Sequence, residues 1–389
     1  MKITDVRTLV VHAEMRNWVF VKIETDQDGL WGWGEASLEW KTRAVAGAVE
    51  DFKPLLIGED PTRIEHLYQK LYRQSFWRLG VIGMSAISGI EQACWDILGK
   101  SLNQPVYKLL GGAVRERVRM YTHLGGGEMR SVYETFDAAP LIDLALQVVA
   151  RGYTAVKVVF VPYSEPLMNA GYVKKFASLM ERLRLALGEG VDIMVDFHGR
   201  TYPAMAIQYI NAIAEYRPYF CEEPVPPENV DALRQVRESV RVPIATGERL
   251  VTRHQFREIF EKGACHVIQP DLCHCGGLLE GKKIAAMAEA YFMGVAPHNP
   301  LGPVANAVAL HFALSTPNFL IQEDMLSDVP WRWDVVEHSL ETSDGHWLPS
   351  DQPGLGIRVN ETAAARHPFQ QETIHAATIR AADGAVLDW

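Results

Sequence analysis

D-I-M-V-D-F-H-G-R, residues 192–200, decides the fold. A short apolar run ends on an acid, Asp196, with His198 two places on. The same design recurs downstream. P-Y-F-C-E (218–222) ends on Glu222 and P-I-A-T-G-E (243–248) on Glu248, each 26 residues after the last. Q-P-D (269–271) then brings Asp271, V-A-P-H (295–298) brings His298, and I-Q-E (321–323) brings Glu323, at steps of 23, 27 and 25. One strand, one helix and two loops take about 25 residues, and (β/α) barrels carry their chemistry at the ends of successive strands.

Working outward, the predicted strands are 117–121, 154–159, 192–197, 218–222, 243–247, 266–270, 293–297 and 318–322. Helical patterns such as A-M-A-I-Q-Y-I-N-A-I-A-E-Y (204–216) and G-K-K-I-A-A-M-A-E-A-Y (281–291) separate them. This predicts an α/β fold, a (β/α)7β-type TIM barrel, over residues 117–326. Residues 1–116 read differently. V-F-V-K-I-E-T (19–25) and G-L-W-G-W-G-E-A-S (29–37) alternate as strands around the D-Q-D-G turn (26–29), and helical patterns fill 60–110, with Asp60 as an N-cap and a buried helix over 84–98. Strands followed by helices predict a separate α+β capping domain. The Trp-, Pro- and Gly-rich tail, 327–389, has no room for another β/α unit and is expected to pack back on the cap.

Composition narrows the function. The chain has 389 residues, 48% hydrophobic, with formal charge −10. The acidic balance argues against nucleic acid, and no apolar run reaches the roughly 18 residues of a membrane span. The N-terminus reads as a strand and not as a signal peptide. Five scattered cysteines (Cys94, Cys221, Cys265, Cys273, Cys275) fit a reduced cytoplasmic protein.

The chemistry lies in the ladder. Asp196, Glu222 and Glu248 are hard oxygen ligands that would repel one another without a cation, which points to Mg²⁺ or Mn²⁺. His298 and Asp271 end neighbouring strands, so the carboxylate can fix the imidazole's tautomer and raise its basicity, making a general base. His198 shares a strand face with Asp196 and is a second acid/base candidate. Glu323 is either a carboxyl that polarises the substrate or a plain structural acid. Lys157, inside a predicted strand, is placed to bind a substrate carboxylate, and Val159, two residues on, can do no acid–base work. Glu223 would point away from Glu222 and serve as an ion-pair partner. Cys273-His274-Cys275 resembles zinc spacing only loosely, Gly125-Gly126-Gly127 lacks the helix and lysine of a phosphate loop, and Asn360-Glu361-Thr362 is a glycosylation pattern only.

With these residues in place, the chain resembles the mandelate racemase branch of the enolase superfamily along nearly its whole length. The motifs are W-G-W-G-E, L-I-G-E-D-P-T-R-I, M-S-A-I-S-G-I-E-Q-A-C-W-D-I-L-G-K, D-F-H-G-R, E-E-P-V, G-E-R, Q-P-D-L and A-P-H-N-P-L-G-P. Within the branch it is most similar to the D-galactonate dehydratase family. The resemblance implies a Mg²⁺ site at Asp196, Glu222 and Glu248, and His298 held by Asp271 as the base that removes the proton α to a sugar-acid carboxylate. It also implies His198 as the acid for the departing 3-hydroxyl, Glu323 as a stabiliser of the charged intermediate, and a 2-keto-3-deoxy product. Substrate selection in this branch implies cap loops at 15–18 and 38–41, with Trp18, Trp40 and Trp77 as candidates to line the site. It further implies a homo-oligomer, dimer to octamer. Val159 stands where racemases of the branch carry the second lysine of K-x-K, and the galactonate family usually has an asparagine near it. The segment D-M-L-S-D-V-P-W-R-W-D-V-V (324–336) also departs from that family. A cycloisomerase of an anhydro sugar acid, another aldonate or aldarate dehydratase, a metal-dependent hydrolase and a non-catalytic sugar-acid binder are the alternatives.

Overall fold

The computed structural model describes residues 1–74, 76–124, 137–159, 161, 163–325, 328–373 and 379–388. The triple glycine at 125–127 and the expected boundary at 326–327 lie outside them. Strands β1 (Ile3–Ala13), β2 (Arg16–Thr25) and β3 (Trp31–Glu35) form an antiparallel sheet in that order. Helices α1 (Thr42–Leu56), α2 (Ile64–Gln74), α3 (Gly80–Ser101) and α4 (Val106–Leu109) follow. α3 is buried along almost its whole length because glycines let β3 press onto it. A Cβ on Gly34 would come within 2.0 Å of the Gly89 carbonyl oxygen. α2 begins at Ile64 and not at Pro61. Asp60 instead closes a turn before the helix, its Oδ1 accepting from Thr62 N at 3.0 Å and Thr62 Oγ1 at 2.8 Å.

The barrel alternates β4 (Val118–His123), α5 (Ala138–Ala150), β5 (Ala155–Val158), α6 (Ala170–Leu187), β6 (Asp192–Asp196), α7 (Pro203–Ile213), β7 (Cys221–Glu222), α8 (Val230–Ser239), β8 (Ile244–Thr246), α9 (Thr252–Lys262), β9 (Val267–Ile268), α10 (Leu278–Ala290), β10 (Gly294–Val295), α11 (Pro303–Ser315) and β11 (Gln322–Asp324). The eight strands are parallel and run in chain order around the ring; β11 closes it against β4, with Glu323 opposite Tyr121. The last strand departs from the expected 318–322. Before Gln322 only Phe319 bridges, to Val295, and the paired strand is Q-E-D. Polar residues carry this strand because its neighbours satisfy them: Asp324 Oδ2 accepts from Tyr153 at 3.2 Å and Oδ1 from Asn306 at 3.0 Å. A search for apolar runs passes over such a strand.

One inward apolar layer crosses the ring: Tyr121, Ala155, Met194, Phe220, Ala245, Val267, Ala296 and Ile321, all buried. Side chains two residues on share a strand's facing, so the next layer toward the C-terminal mouth is His123, Lys157, Asp196, Glu222, Gly247, Gln269, His298 and Glu323. An apolar floor beneath a polar layer is how this sequence builds a site.

The cap is seated on helix starts of the barrel. Glu35, the acid of W-G-W-G-E, accepts from Gly302 N at 2.7 Å and Ala305 N at 2.8 Å at the start of α11, and from Ser37 Oγ at 2.6 Å. Glu91 on α3 accepts from Leu278 N at 2.8 Å and Leu279 N at 2.9 Å at the start of α10. Buried carboxylates are stabilised there by unpaired N–H groups and the helix dipole.

The tail contains β12 (Val336–His338), β13 (Glu341–Ser343), β14 (His346–Leu348), β15 (Ile357–Val359) and α12 (Glu361–Ala364). It does not pack on the cap alone. β14 pairs antiparallel with β4 at Val118 and Arg119, extending the barrel sheet, because the start of β4 projects beyond its barrel neighbours. Further on, Glu361 accepts from Arg7 and Lys22, and His12 N donates to the His367 carbonyl at 2.8 Å. Among the described residues no helix is long and apolar enough to cross a membrane.

His311, buried in α11, accepts from Tyr107 N at 3.1 Å through Nδ1 and stacks on the Tyr107 ring. Burial pulls its pKa down to about 4. Since an unfolded histidine titrates near 6.5, the unfolded chain binds the extra proton between those values, and stability falls as pH falls through that window. The contribution is roughly 3 kcal/mol at most. Between pH 6.5 and 4 wild type is therefore expected to lose thermal stability more steeply than His311→Gln; parallel curves would refute it.

Candidate active site

Asp196 at the end of β6, Glu222 at the end of β7 and Glu248 just past β8 each offer an oxygen within 4.8 Å of the other two. Gly247, with φ +146°, makes that turn possible: a Cβ there would fall 2.8 Å from Gln269 N. Glu223 serves as the expected ion-pair partner, but strand alternation does not place it: β7 ends at Glu222, and Glu223 sits in a left-handed conformation with φ +42°. It takes Arg249 Nε at 2.7 Å and Thr246 Oγ1 at 2.6 Å, which braces the loop carrying Glu248.

Lys157, on β5, is the cation facing these acids. Its Nζ lies 3.3 Å from Asp196, 3.2 Å from Glu222 and 2.7 Å from Glu323. Burial disfavours its charge, but Glu222 and Glu323 outweigh that and hold it protonated. Burial likewise opposes ionisation of Asp196, yet His198 and Lys157 keep its pKa low. Burial and the neighbouring Asp196 push Glu222 well above the carboxylate range. One lysine is thus shared among more acids than it can satisfy: Asp196 Oδ2 has only long ionic contacts, 3.3 Å to Lys157 Nζ and 3.3 Å to His198 Nε2. An all-oxygen donor set of three clustered carboxylates with a deficit of positive charge fits a hard divalent cation.

Two histidines flank the cluster. His298 Nδ1 is 2.8 Å from Asp271 Oδ2, and its Nε2 is 3.3 Å from Glu248 Oε2. Burial lowers the His298 pKa, but Glu248, Asp271 and Glu323 reverse this and raise it to about 10. With Asp271 accepting from Nδ1–H, it is Nε2 that faces the pocket, and it would present a lone pair there once a cation offsets the acids that otherwise hold the ring protonated. His198 lies beside Asp196, Nε2 to Oδ2 at 3.3 Å, while its own N–H donates to Oδ1 at 2.8 Å. Strand alternation does not place it. β6 ends at Asp196, and His198 sits in a left-handed turn with φ +49°. β6 and β10 stand four strands apart in a ring of eight, so the two imidazoles approach from opposite sides of the mouth.

A cavity of about 410 Å³ joins these groups to the cap. Lys157, His198, Glu248, His298 and Glu323 line it. Trp40 lines it too, while Trp18 does not. Trp18 is fully buried in the cap, its ring edge-on to Trp331 at 5.5 Å and 5.3 Å from the Arg332 guanidinium, because the segment after the barrel covers that face of β2. Trp77 is 72% exposed and also outside the cavity. Val159 is buried just past β5.

Among the lining residues, sequence reasoning gave no role to His123, Val81, Arg249, Pro300 or Met325, set His274 aside with the loose zinc spacing, and covered Arg16 and Glu39 only as members of the two cap loops. His123 stands two residues beyond Tyr121, so period-2 counting along β4 finds it. Burial and Lys157 push its pKa down to about 3, which keeps it neutral. His274 is held by Ser85 of α3, Nδ1 to Oγ at 2.9 Å. Arg16 and Glu39 form an ion pair between the two cap loops, and no local pattern signals that.

The whole chain has relatives. Residues 4–111 match the model of the mandelate racemase / muconate lactonizing enzyme N-terminal domain, and residues 141–363 that of the enolase C-terminal domain-like family. D-galactonate dehydratases from Pectobacterium atrosepticum and Verminephrobacter eiseniae are 37% and 38% identical, each alignment covering 100% of both chains. The crystal structure of an enolase from Pantoea ananatis with bound D-gluconate and Mg superposes with a TM-score of 0.89 at 30% identity, covering 100% of this chain and 99% of that one. Matched in both domains and along its full length, the chain belongs to the mandelate racemase / muconate lactonizing enzyme family of the enolase superfamily.

Proposed function

We propose that this enzyme, a sugar-acid dehydratase, is Mg²⁺-dependent and acts on an aldonate, D-galactonate first. The observation that carries the reading is the pair of histidines on opposite sides of a three-carboxylate cluster, one backed by Asp271. The full-length likeness to D-galactonate dehydratases, and to an enolase with gluconate and Mg bound, supports the substrate class.

Asp196, Glu222 and Glu248 would hold the cation. When bound, it supplies positive charge against the negative charge that grows on the substrate carboxylate as the α-proton leaves. His298 Nε2 takes that proton from C2, and Asp271 stabilises the imidazolium that results. As the C2–C3 double bond forms, the C3–O bond breaks, and His198 gives a proton to the departing hydroxyl, which leaves as water. The enol then becomes the 2-keto-3-deoxy acid. Lys157 and Glu323 lie on the same mouth and position the carboxylate end. Val159 offers no base beside Lys157, so β-elimination fits better than racemisation through a K-x-K pair.

The test is a keto-acid assay with Mg²⁺ across C4–C6 aldonic and aldaric acids, with and without EDTA. An EDTA-sensitive product from D-galactonate or another aldonate is expected. Product from an anhydro sugar acid, with none from open-chain acids, would replace the dehydratase with a cycloisomerase.

A further inference from the structure

Arg16, Glu39 and Trp40 line the cavity from the cap segments at 15–18 and 38–41. Arg16–Trp18 open β2 and pair with the end of β1, whereas 38–41 belongs to no strand or helix. Trp40 has φ +57°, a left-handed conformation that costs a non-glycine residue roughly 1 kcal/mol. What joins the two comes from the far end of the chain. Glu372 is 6% exposed. Its Oε1 accepts from Asn17 N and from Trp40 N, each at 3.2 Å, and its Oε2 accepts from Thr42 Oγ1 at 3.2 Å. One buried carboxylate thus grips the backbone of both loops.

The residues before it lace the tail to the same place. Asn17 Nδ2 donates to the Gln370 carbonyl at 2.9 Å, and the Arg43 guanidinium lies 4.5 Å over the Phe369 ring. These donors are neutral and two are backbone amides. Without an acceptor at the Glu372 position both amides would lose this partner while still shielded from water, a cost that falls most on the Trp40 segment, since Asn17 is also paired with His12 across the β1–β2 ladder.

We propose that Glu372 is a positioning residue for the substrate pocket: from the C-terminal tail it fixes both cap loops, and through them the Arg16–Glu39 pair and Trp40 that face the substrate's distal end. The kinetic consequence rests on the dehydratase assignment; the structural one does not. Removing the acceptor lets the loops move, so the complex with the whole substrate weakens while His298, Asp271 and the carboxylate cluster, all on the barrel, keep their places. Glutamine is the conservative replacement. Its Oε1 can take both amides, and its Nε2 can donate to the Thr42 hydroxyl, so the grip survives without the charge.

The experiment compares wild type, Glu372→Ala and Glu372→Gln as full-length Mg²⁺-loaded protein. In Glu372→Ala, KM for the substrate found above is expected to rise about tenfold, with kcat within about threefold, and Glu372→Gln to restore most of the loss. Hydrogen exchange on unliganded protein should be about tenfold faster at residues 16–18 and 38–42 and unchanged at 192–196. An unchanged KM and unchanged loop exchange in folded Glu372→Ala would overturn the proposal, as would exchange accelerated equally across the barrel. Should Glu372→Ala fail to fold, Thr42→Val decides: faster exchange at the Trp40 amide supports the grip, and wild-type exchange there overturns it. If wild type turned over no sugar acid, the dehydratase assignment would fall, and the exchange result would still decide the role of Glu372.

Discussion

His298→Asn is expected to abolish α-proton exchange into D2O and to lower dehydration by roughly 10³-fold or more, the scale of a positioned general base. The asparagine can still donate to Asp271 but has no basic nitrogen to present. His298 is not among the three proposed ligands, so Mg²⁺ affinity should stay within about threefold of wild type. The split between chemistry and metal binding makes the result specific. Exchange that persists in His298→Asn would move the base elsewhere, with His198 the first candidate because it flanks the same cluster.

Glu222→Gln should have the second largest effect, in two opposite directions. Activity should fall by at least about 10³-fold, since the cation's share of the charge stabilisation is several kcal/mol. Yet metal-free protein should become more heat-stable. Burial and Asp196 push the Glu222 pKa up in the fold, so the folded state holds a proton that the unfolded state has released. Metal-free stability is therefore full below the unfolded carboxylate range and declines as pH rises from there toward the raised value. A neutral amide removes that decline. In wild type, excess Mg²⁺ should restore stability, by about 2.7 kcal/mol at a hundredfold excess over Kd, and in Glu222→Gln the Mg²⁺-dependent rise in Tm should vanish. A Tm that rises equally with Mg²⁺ in both proteins would place the cation elsewhere.

These residues were legible because a barrel repeats. Each unit is a local pattern of strand, turn and helix, and a polar residue at the end of each apolar run marks the mouth. Asp196, Glu222, Glu248, Asp271, His298 and Glu323 all follow from that rhythm, and the period-2 alternation that places Lys157 over Ala155 also places His123 over Tyr121. The last strand was placed too early, at 318–322 instead of Gln322–Asp324, because Glu323 and Asp324 look like a loop until their partners on β4, Tyr153 and Asn306 are known.

The chain's own sequence therefore determined the (β/α)7β barrel, the cap before it, and the acids and imidazole of the barrel mouth, because covalent spacing and side-chain alternation are local properties. Only the tertiary structure decided which tryptophan faces the cavity. Trp18 and Trp40 are both aromatic residues in cap segments, and what separates them is a covering by Trp331 and Arg332 from more than 300 residues away. It alone decided that Arg16 meets Glu39, that Ser85 holds His274, and that Glu372 grips both loops. Such contacts arise when separately patterned units dock. The docking is fixed by shape and by hydrogen bonds between distant segments, which leave no period in the sequence to read.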